Sequence, residues 1–164
     1  MTVDTIEKQF VEELKDLHSA EKQITKTLPK LIEASTSTEL KKAFEHHLHE
    51  TEGQIERLDR AFEILGTKPQ EKKCDGMKGI LAEGAEMFHE AKPGDIRDVA
   101  LISAAQRVEH YEMAAYGTVR TYAQLLNQPR IAELLQETLE EEKAADKKLT
   151  EISQKVNSHV RRAA

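Results

Sequence analysis

Four stretches of this chain, each on the order of thirty residues, carry apolar side chains at alternating three- and four-residue spacing, and acidic residues interrupt these stripes near mid-length. Spacing of that kind marks an amphipathic helix. The first stripe has two rows, Val3, Phe10, Leu17, Ile24 and Leu31, then Ile6, Leu14 and Leu28, and predicts a helix over about 3–34. Pro29 lies inside it and should kink or locally break its last turns. After the polar break Ser35-Thr36-Ser37-Thr38, Thr36 and Glu39 have capping-box spacing. A second helix over about 37–65 follows, with the stripe Leu40, Phe44, Leu48, Ile55, Leu58, Phe62 and Leu65 and with Gly66 as its C-terminal cap.

A polar linker then leads to a short helix over about 74–91. Pro93-Gly94 marks a turn, Asp95 is the expected N-cap, and Ile102, Ala105, Val108, Tyr116, Val119, Ala123 and Leu126 form a third long stripe over about 95–127. The fourth, over about 129–157, opens on Pro129 and runs through Ile131, Leu135, Leu149, Ile152 and Val156. Four such stripes are buried most economically by pairing two antiparallel hairpins. The expectation is an all-α antiparallel four-helix bundle, one domain over 1–164, with the short helix in the crossover.

Only 4% of residues are aromatic and 33% are charged, with 7 Gly and 4 Pro, a balance that suits helices. The single cysteine, Cys74, excludes an internal disulfide framework and any CxxC metal ribbon, and points to a reducing, cytoplasmic setting. No apolar run approaches the roughly 18 residues of a spanning helix and no secretory signal opens the chain, so no membrane partner is expected. A net charge of -6 argues against nucleic acid.

Continuing each stripe at its own spacing puts Glu21, Glu109, Glu112 and Glu142 on core positions, with Asp146 at the edge and Glu141 turned further away. In the second helix His47 and Gln54 border the stripe and Glu50 lies at its margin. These residues sit near the middles of their helices and can meet in one layer. An isolated buried carboxylate takes up a proton, and several sharing one cavity repel each other; bound dications resolve both problems. Bundles of this architecture hold two iron or manganese ions with a Glu from each of two helices and a Glu-x-x-His pair from each of the others. Here Gly53 follows Glu50 and Ala145 follows Glu142 at the third position, so neither Glu-x-x-His step is present. The imidazole on offer is His47, and the third helix supplies Glu109 and Glu112. The candidate ligands are therefore Glu21, His47, Glu50, Glu109, Glu112, Glu142 and Asp146. Such an oxygen-rich set suits two metal ions per chain, iron first and manganese second.

Blander readings accompany several of these. His47 can be an ordinary interfacial histidine, and Lys143 and Lys147 can hold Asp146 as a surface charge. His18 is expected to be a non-ligand, and His46, His49 and His110 to be solvated, since successive helical positions point about 100° apart. Tyr116 is expected to pack in the core rather than to hydrogen-bond. Met77, Met87 and Phe88 are expected to seal the bundle or a dimer contact.

Leu17-His18-Ser19-Ala20-Glu21 with Leu28-Pro29-Lys30, His47-Leu48-His49-Glu50-Thr51 with Gln54 and Arg57-Leu58, Val108-Glu109-His110-Tyr111-Glu112 with Tyr116-Gly117, and Leu139-Glu140-Glu141-Glu142-Lys143 with Asp146 occur in that order. Together they closely resemble the bacterial YciE/YciF family of ferritin-like proteins over nearly the whole chain. The Glu109 and Glu112 spacing is similar to that of the rubrerythrin branch. The resemblance implies a ferritin-like, rubrerythrin-like fold, a homodimer and a part in stress responses.

The function expected first is a di-iron oxidase or peroxidase acting on dioxygen or hydrogen peroxide. Glu50 and Glu142 would bridge the metals, Glu21 and Glu109 would be terminal and Glu112 labile. Without a CxxC pair it would need an external electron donor. Two alternatives stay open: a non-catalytic metal-binding stress protein, and a structural dimer without metal whose carboxylates are protonated or salt-bridged.

Overall fold

The computed structural model describes residues 2–69 and 72–163. It consists of α1 (Ile6–Ala34), α2 (Thr38–Ile64), α3 (Asp75–Glu90), α4 (Asp95–Leu125) and α5 (Pro129–Ala163), with no strand among the described residues. Going round the bundle, the neighbours are α1, α2, α5 and α4, while α3 lies against α4 and α1. Adjacent long helices run antiparallel, which leaves α2 and α4 parallel on one diagonal and α1 and α5 on the other.

The helix ends follow from local chemistry, not always at the residues the sequence suggests. α1 begins after Thr5, whose hydroxyl accepts the Lys8 N–H. The helix then continues through Pro29 to Ala34 without the expected break. Pro29 is solvent-exposed, so the one carbonyl it deprives of a partner lies on the wet side of the helix. The cap of α2 is Ser37 rather than Thr36, its hydroxyl accepting the Leu40 N–H at 3.3 Å. At the start of α4 the cap is Gly94, at φ 105°, where Asp95 was expected, and it makes no side-chain cap bond.

Two of the C-termini close in the same way. After α2, Gly66 takes the left-handed conformation, its N–H bonding to the Glu63 carbonyl while the Thr67 N–H reaches Phe62. After α4, Asn127 at φ 54° does the same with Gln124, and Gln128 reaches Ala123. Asparagine tolerates this conformation because its short polar side chain costs little there.

The core is split in two. Ile24, Leu28, Leu40, Phe44, Leu101, Ile102, Leu149 and Ile152 lie in one apolar cluster. Phe10, Leu14, Leu17, Leu58, Phe62, Val119, Ile131 and Leu135 lie in the other. The crossover from α2 to α4 must therefore travel from one end of the bundle to the other. Lys72 pins it to α1 through Asp16 at 2.8 Å, and the Cys74 N–H donates to Ser19 Oγ at 3.0 Å. Met77 is fully buried, and partly buried Phe88 packs on the same cluster under Arg97, 4.4 Å away. Met87 accepts from Arg107 at 3.3 Å.

A pair of long-range bonds ties the start of α4 to the turn between α1 and α2. Asp98 of α4, completely buried, accepts the N–H of Thr36 at 2.8 Å and that of Ser37 at 2.7 Å. An anionic acceptor suits two orphan donors at the positive end of α2. Replacing it strands both N–H groups in a dry place, and each bond to a charged group is worth about 1.5–3 kcal/mol. Asp98→Ala should therefore lose about 3 kcal/mol of unfolding free energy, and Asp98→Asn, which keeps one acceptor, less. Urea denaturation of the two variants measures this, and an Asp98→Ala protein within 0.5 kcal/mol or so of wild type would remove the latch from the account.

Candidate metal centre

Between the two apolar clusters lies a layer made of polar groups. α1 supplies Glu21, α2 His47, Thr51 and Gln54, α4 Glu109 and Glu112, and α5 Thr138 and Glu142, all of them buried. Four of these residues, His47, Glu109, Glu112 and Glu142, bring one ligand atom each to within 4.8 Å of one another. His47 Nε2 is 3.3 Å from Glu109 Oε1, off the line of a ring N–H bond. On its other side Nδ1 faces Glu50 Oε2 at 3.7 Å, too far for a hydrogen bond.

The acidic atoms of this layer lack donors. Both oxygens of Glu112 and of Glu142, one of Glu109 and one of Glu21 are buried without a hydrogen-bond partner, as are both ring nitrogens of His47. Most buried polar atoms in proteins are paired, so such a concentration calls for a ligand of opposite charge. The donor set, carboxylate oxygens with one imidazole, fits two hard or borderline dications. Because the imidazole comes from α2 and the converging carboxylates from α4 and α5, an ion held by these four would tie three of the long helices together, with Glu21 of α1 beside it.

Electrostatics point the same way. Burial pushes the Glu21 carboxyl well above its ordinary value of 4.5, and the nearby Glu142 adds to the rise, against the Tyr116 hydrogen bond and the neighbouring Glu112 carboxyl, which lower it. Burial also raises Glu109, with contact to Glu142 reinforcing it, and raises Glu112, where Glu142, Glu21 and Glu109 all contribute. Protons and dications therefore compete for the same oxygens.

Not every sequence candidate joins the group. Glu21 lies in the layer, where its Oε1 accepts a hydrogen bond from the Tyr116 hydroxyl and its Oε2 stays unpaired. Glu50 stands outside, 18% exposed, with His46 Nε2 3.1 Å from its Oε1. Burial works to raise its pKa, but His47 and His46 outweigh that and hold it below the ordinary value. Asp146 also stands outside. It accepts from Gln106 at 3.0 Å and lies 3.3 Å from His110, so the partners are on α4 rather than Lys143 or Lys147. His18 is buried but turned to Asp59 at 3.0 Å.

One role differs from the expectation. Tyr116 is fully buried, and its phenol orients Glu21 instead of only packing. Glu141 is turned away from the layer, as expected, and there Arg57 clamps it and Gln54 donates to it at 3.0 Å. His47, Thr51 and Gln54 face the interior fully, because the phase set by Leu40, Phe44 and Leu58 carries through them. Reading Leu48 and Ile55 as the stripe shifted that phase by one position. A strict 3.6-residue count from the flanking apolar pairs finds all three.

Known proteins share this architecture. The sequence pattern of a family described as a domain of unknown function (DUF892) matches residues 5–161. Protein YciF of Escherichia coli (strain K12) is 47% identical over 154 residues, covering 93% of each chain. The crystal structure of the E. coli stress protein YciF superposes with a TM-score of 0.91 at 46% identity, over 95% of this chain and 99% of that one. YcfI from Rhodopseudomonas palustris gives 0.88 at 42% identity, over 90% and 94%. A ferritin-like, diiron-carboxylate protein from Bacillus anthracis str. Ames gives 0.71 at 15% identity, over 92% and 99%, a likeness of fold alone. The bundle is thus ferritin-like, and with the family pattern and a relative nearly half identical both spanning most of its length, the chain belongs to the DUF892 family.

Proposed function

We propose that the chain is a di-metal carboxylate protein that holds two ions, iron first and manganese second, in the mid-bundle layer and serves as a redox protein in stress response. The observation that carries this reading is the convergence of His47, Glu109, Glu112 and Glu142, all buried, with carboxylate oxygens that no protein donor satisfies. Glu21 completes the set on the α1 side. Its Oε1 is occupied by the Tyr116 hydroxyl, which leaves Oε2 to face the layer.

When bound, a pair of such ions supplies reversible one-electron steps to dioxygen or peroxide. The chain's own contribution is to hold the ions and keep water out. The flanking apolar clusters raise the strength of every charge interaction between them. Glu50, on the far side of the His47 ring, is placed to accept the Nδ1 proton once the ring tightens, which would direct Nε2 inward. In this reading Glu50 orients a ligand, and Glu109, Glu112 and Glu142 would hold the ions together with His47. Since Cys74 is the single cysteine, electrons must come from a separate donor. The reading also places the protein in the cytoplasm as a homodimer, in keeping with a buried free thiol. Sedimentation at micromolar concentration should give twice 18.6 kDa.

Protein purified without chelators should carry about two ions per chain by elemental analysis. Glu142→Gln, which keeps the volume and removes one charge, should lose at least half of them, while Glu140→Gln on the exposed face of α5 should lose none. Iron-loaded wild type should consume peroxide at least tenfold faster than Glu142→Gln. Equal metal content in all three proteins would defeat the metal reading. Retained metal without peroxide consumption would leave a non-catalytic binder.

The raised carboxyls set the sign of a pH effect. A group whose folded pKa lies above its unfolded value contributes stability below the unfolded value, here 4.5, and loses it as pH rises through the folded one. In chelator, wild type should therefore weaken relative to Glu112→Gln as pH rises from about 4.5 through neutral. With added manganese the order should reverse, because metal binds the deprotonated form. Thermal melts of both proteins across that range measure it, and parallel curves in chelator would contradict the buried charge.

A further inference from the structure

Beside the polar layer, α2 and α5 do not close against each other. Ala43 on α2 and Ala144 and Ala145 on α5 present only methyl groups, and a cleft of about 460 Å³ remains between the helices, floored by Phe44 and Leu149. Its inner end is formed by His47 and Glu109, and its mouth by Lys42 and Lys148. His47 is 6% exposed, and both of its ring nitrogens are unpartnered. A buried polar group with no hydrogen-bond partner at the end of a largely apolar cleft is the arrangement of a ligand site.

Size and charge narrow the ligand. At about 30 Å³ for a water-sized unit, the cleft has room for on the order of fifteen, far more than dioxygen or peroxide fills. Between its charged ends the cleft is walled by Ala43, Phe44, Ala144, Ala145 and Leu149, and most of its surface is apolar, which calls for a hydrocarbon body. Along the cleft the charge changes sign. Glu50 and Glu109 stand toward the inner end, with His46 3.1 Å from Glu50. At the mouth Glu39 is shared by Lys148 at 3.1 Å and Lys155 at 2.9 Å, and exposed Lys42 has no ion-pair partner among the described residues. Positive charge is therefore in surplus at the rim and negative charge deeper in.

We propose that this cleft binds a medium-chain organic anion, with its carboxylate at the Lys42 rim and its hydrocarbon chain running inward over Phe44 and Leu149 to the face of His47. In calling this ligand a substrate class of the metal centre, the proposal rests on the reading above. The binding itself rests on the cleft alone.

Calorimetric titration of the full chain with decanoate, below its micellar concentration, tests it. Saturable binding of about one molecule per chain is expected. Ala145→Trp fills the cleft and should weaken binding at least tenfold, Ala144→Trp on the exposed side of the same wall should do likewise if the first variant folds poorly, and Lys42→Glu should weaken it about fivefold. Decyltrimethylammonium, with the same chain and the opposite charge, should not bind. In cobalt-loaded protein decanoate should shift the visible absorption bands, a readout of nearness to the metal that does not depend on turnover. Absent decanoate binding, or equal affinity in the tryptophan variants, overturns the proposal. So does loss of dimer in those variants without any decanoate binding, which would show a second copy of the chain covering the cleft. Cobalt bound without a spectral response sinks the substrate assignment and leaves the metal reading standing. Decanoate bound to protein that takes up no cobalt does the opposite, keeping the ligand site and removing the metal.

Discussion

Carboxylates gathered in a dry interior repel one another, and that repulsion is the constraint around which the bundle is organised. Glu21, Glu109, Glu112 and Glu142 come from α1, α4 and α5, and nothing in the protein neutralises them fully. Holding them in place takes two apolar clusters, one on either side, each large enough to keep four helices together. The split core follows from this. A single continuous core would be easier to fold, but it would leave no layer in which charge can be concentrated.

The supports around the layer are of two kinds. Tyr116 is a neutral donor set among the acids and commits one oxygen of Glu21 without cancelling its charge, while the Thr138 hydroxyl beside them accepts from Arg57 at 2.9 Å. Arg57 does bring a positive charge, but Glu141 and Glu137 absorb it one turn away. The central acids are thereby kept free of arginine and lysine. A bundle selected for stability alone would place a cation among them, as α2 does for Glu141.

Much of this was legible in the sequence because helix periodicity is strict. The positions of Glu21, Glu109, Glu112 and Glu142 inside the bundle follow from their apolar neighbours at three and four residues. What escaped was of two sorts. In α2 the apolar letters Leu48 and Ile55 lie off the true inward line, which puts His47 and Gln54 at the border of the stripe and gives Thr51 no place in it, although all three are buried. The other misses are contacts between residues far apart in the chain. Asp98 with Ser37, Tyr116 with Glu21 and Arg57 with Glu141 each join different helices, and no local spacing announces them. The α2/α5 cleft belongs here too, since it depends on alanines from both helices meeting at the same height.

The Asp98 contact sets more than the end of a helix. α2 and α4 run in the same direction on opposite corners of the bundle, and nothing in ridge-and-groove packing forbids one from sliding by a turn, about 5.4 Å, past the other. Counting from the latch, His47 is ten residues beyond Ser37 and Glu109 eleven beyond Asp98, so at 1.5 Å per residue both stand about 15 Å further along the axis. Two parallel rods tied at one end and measured off to equal lengths bring imidazole and carboxylate level with each other.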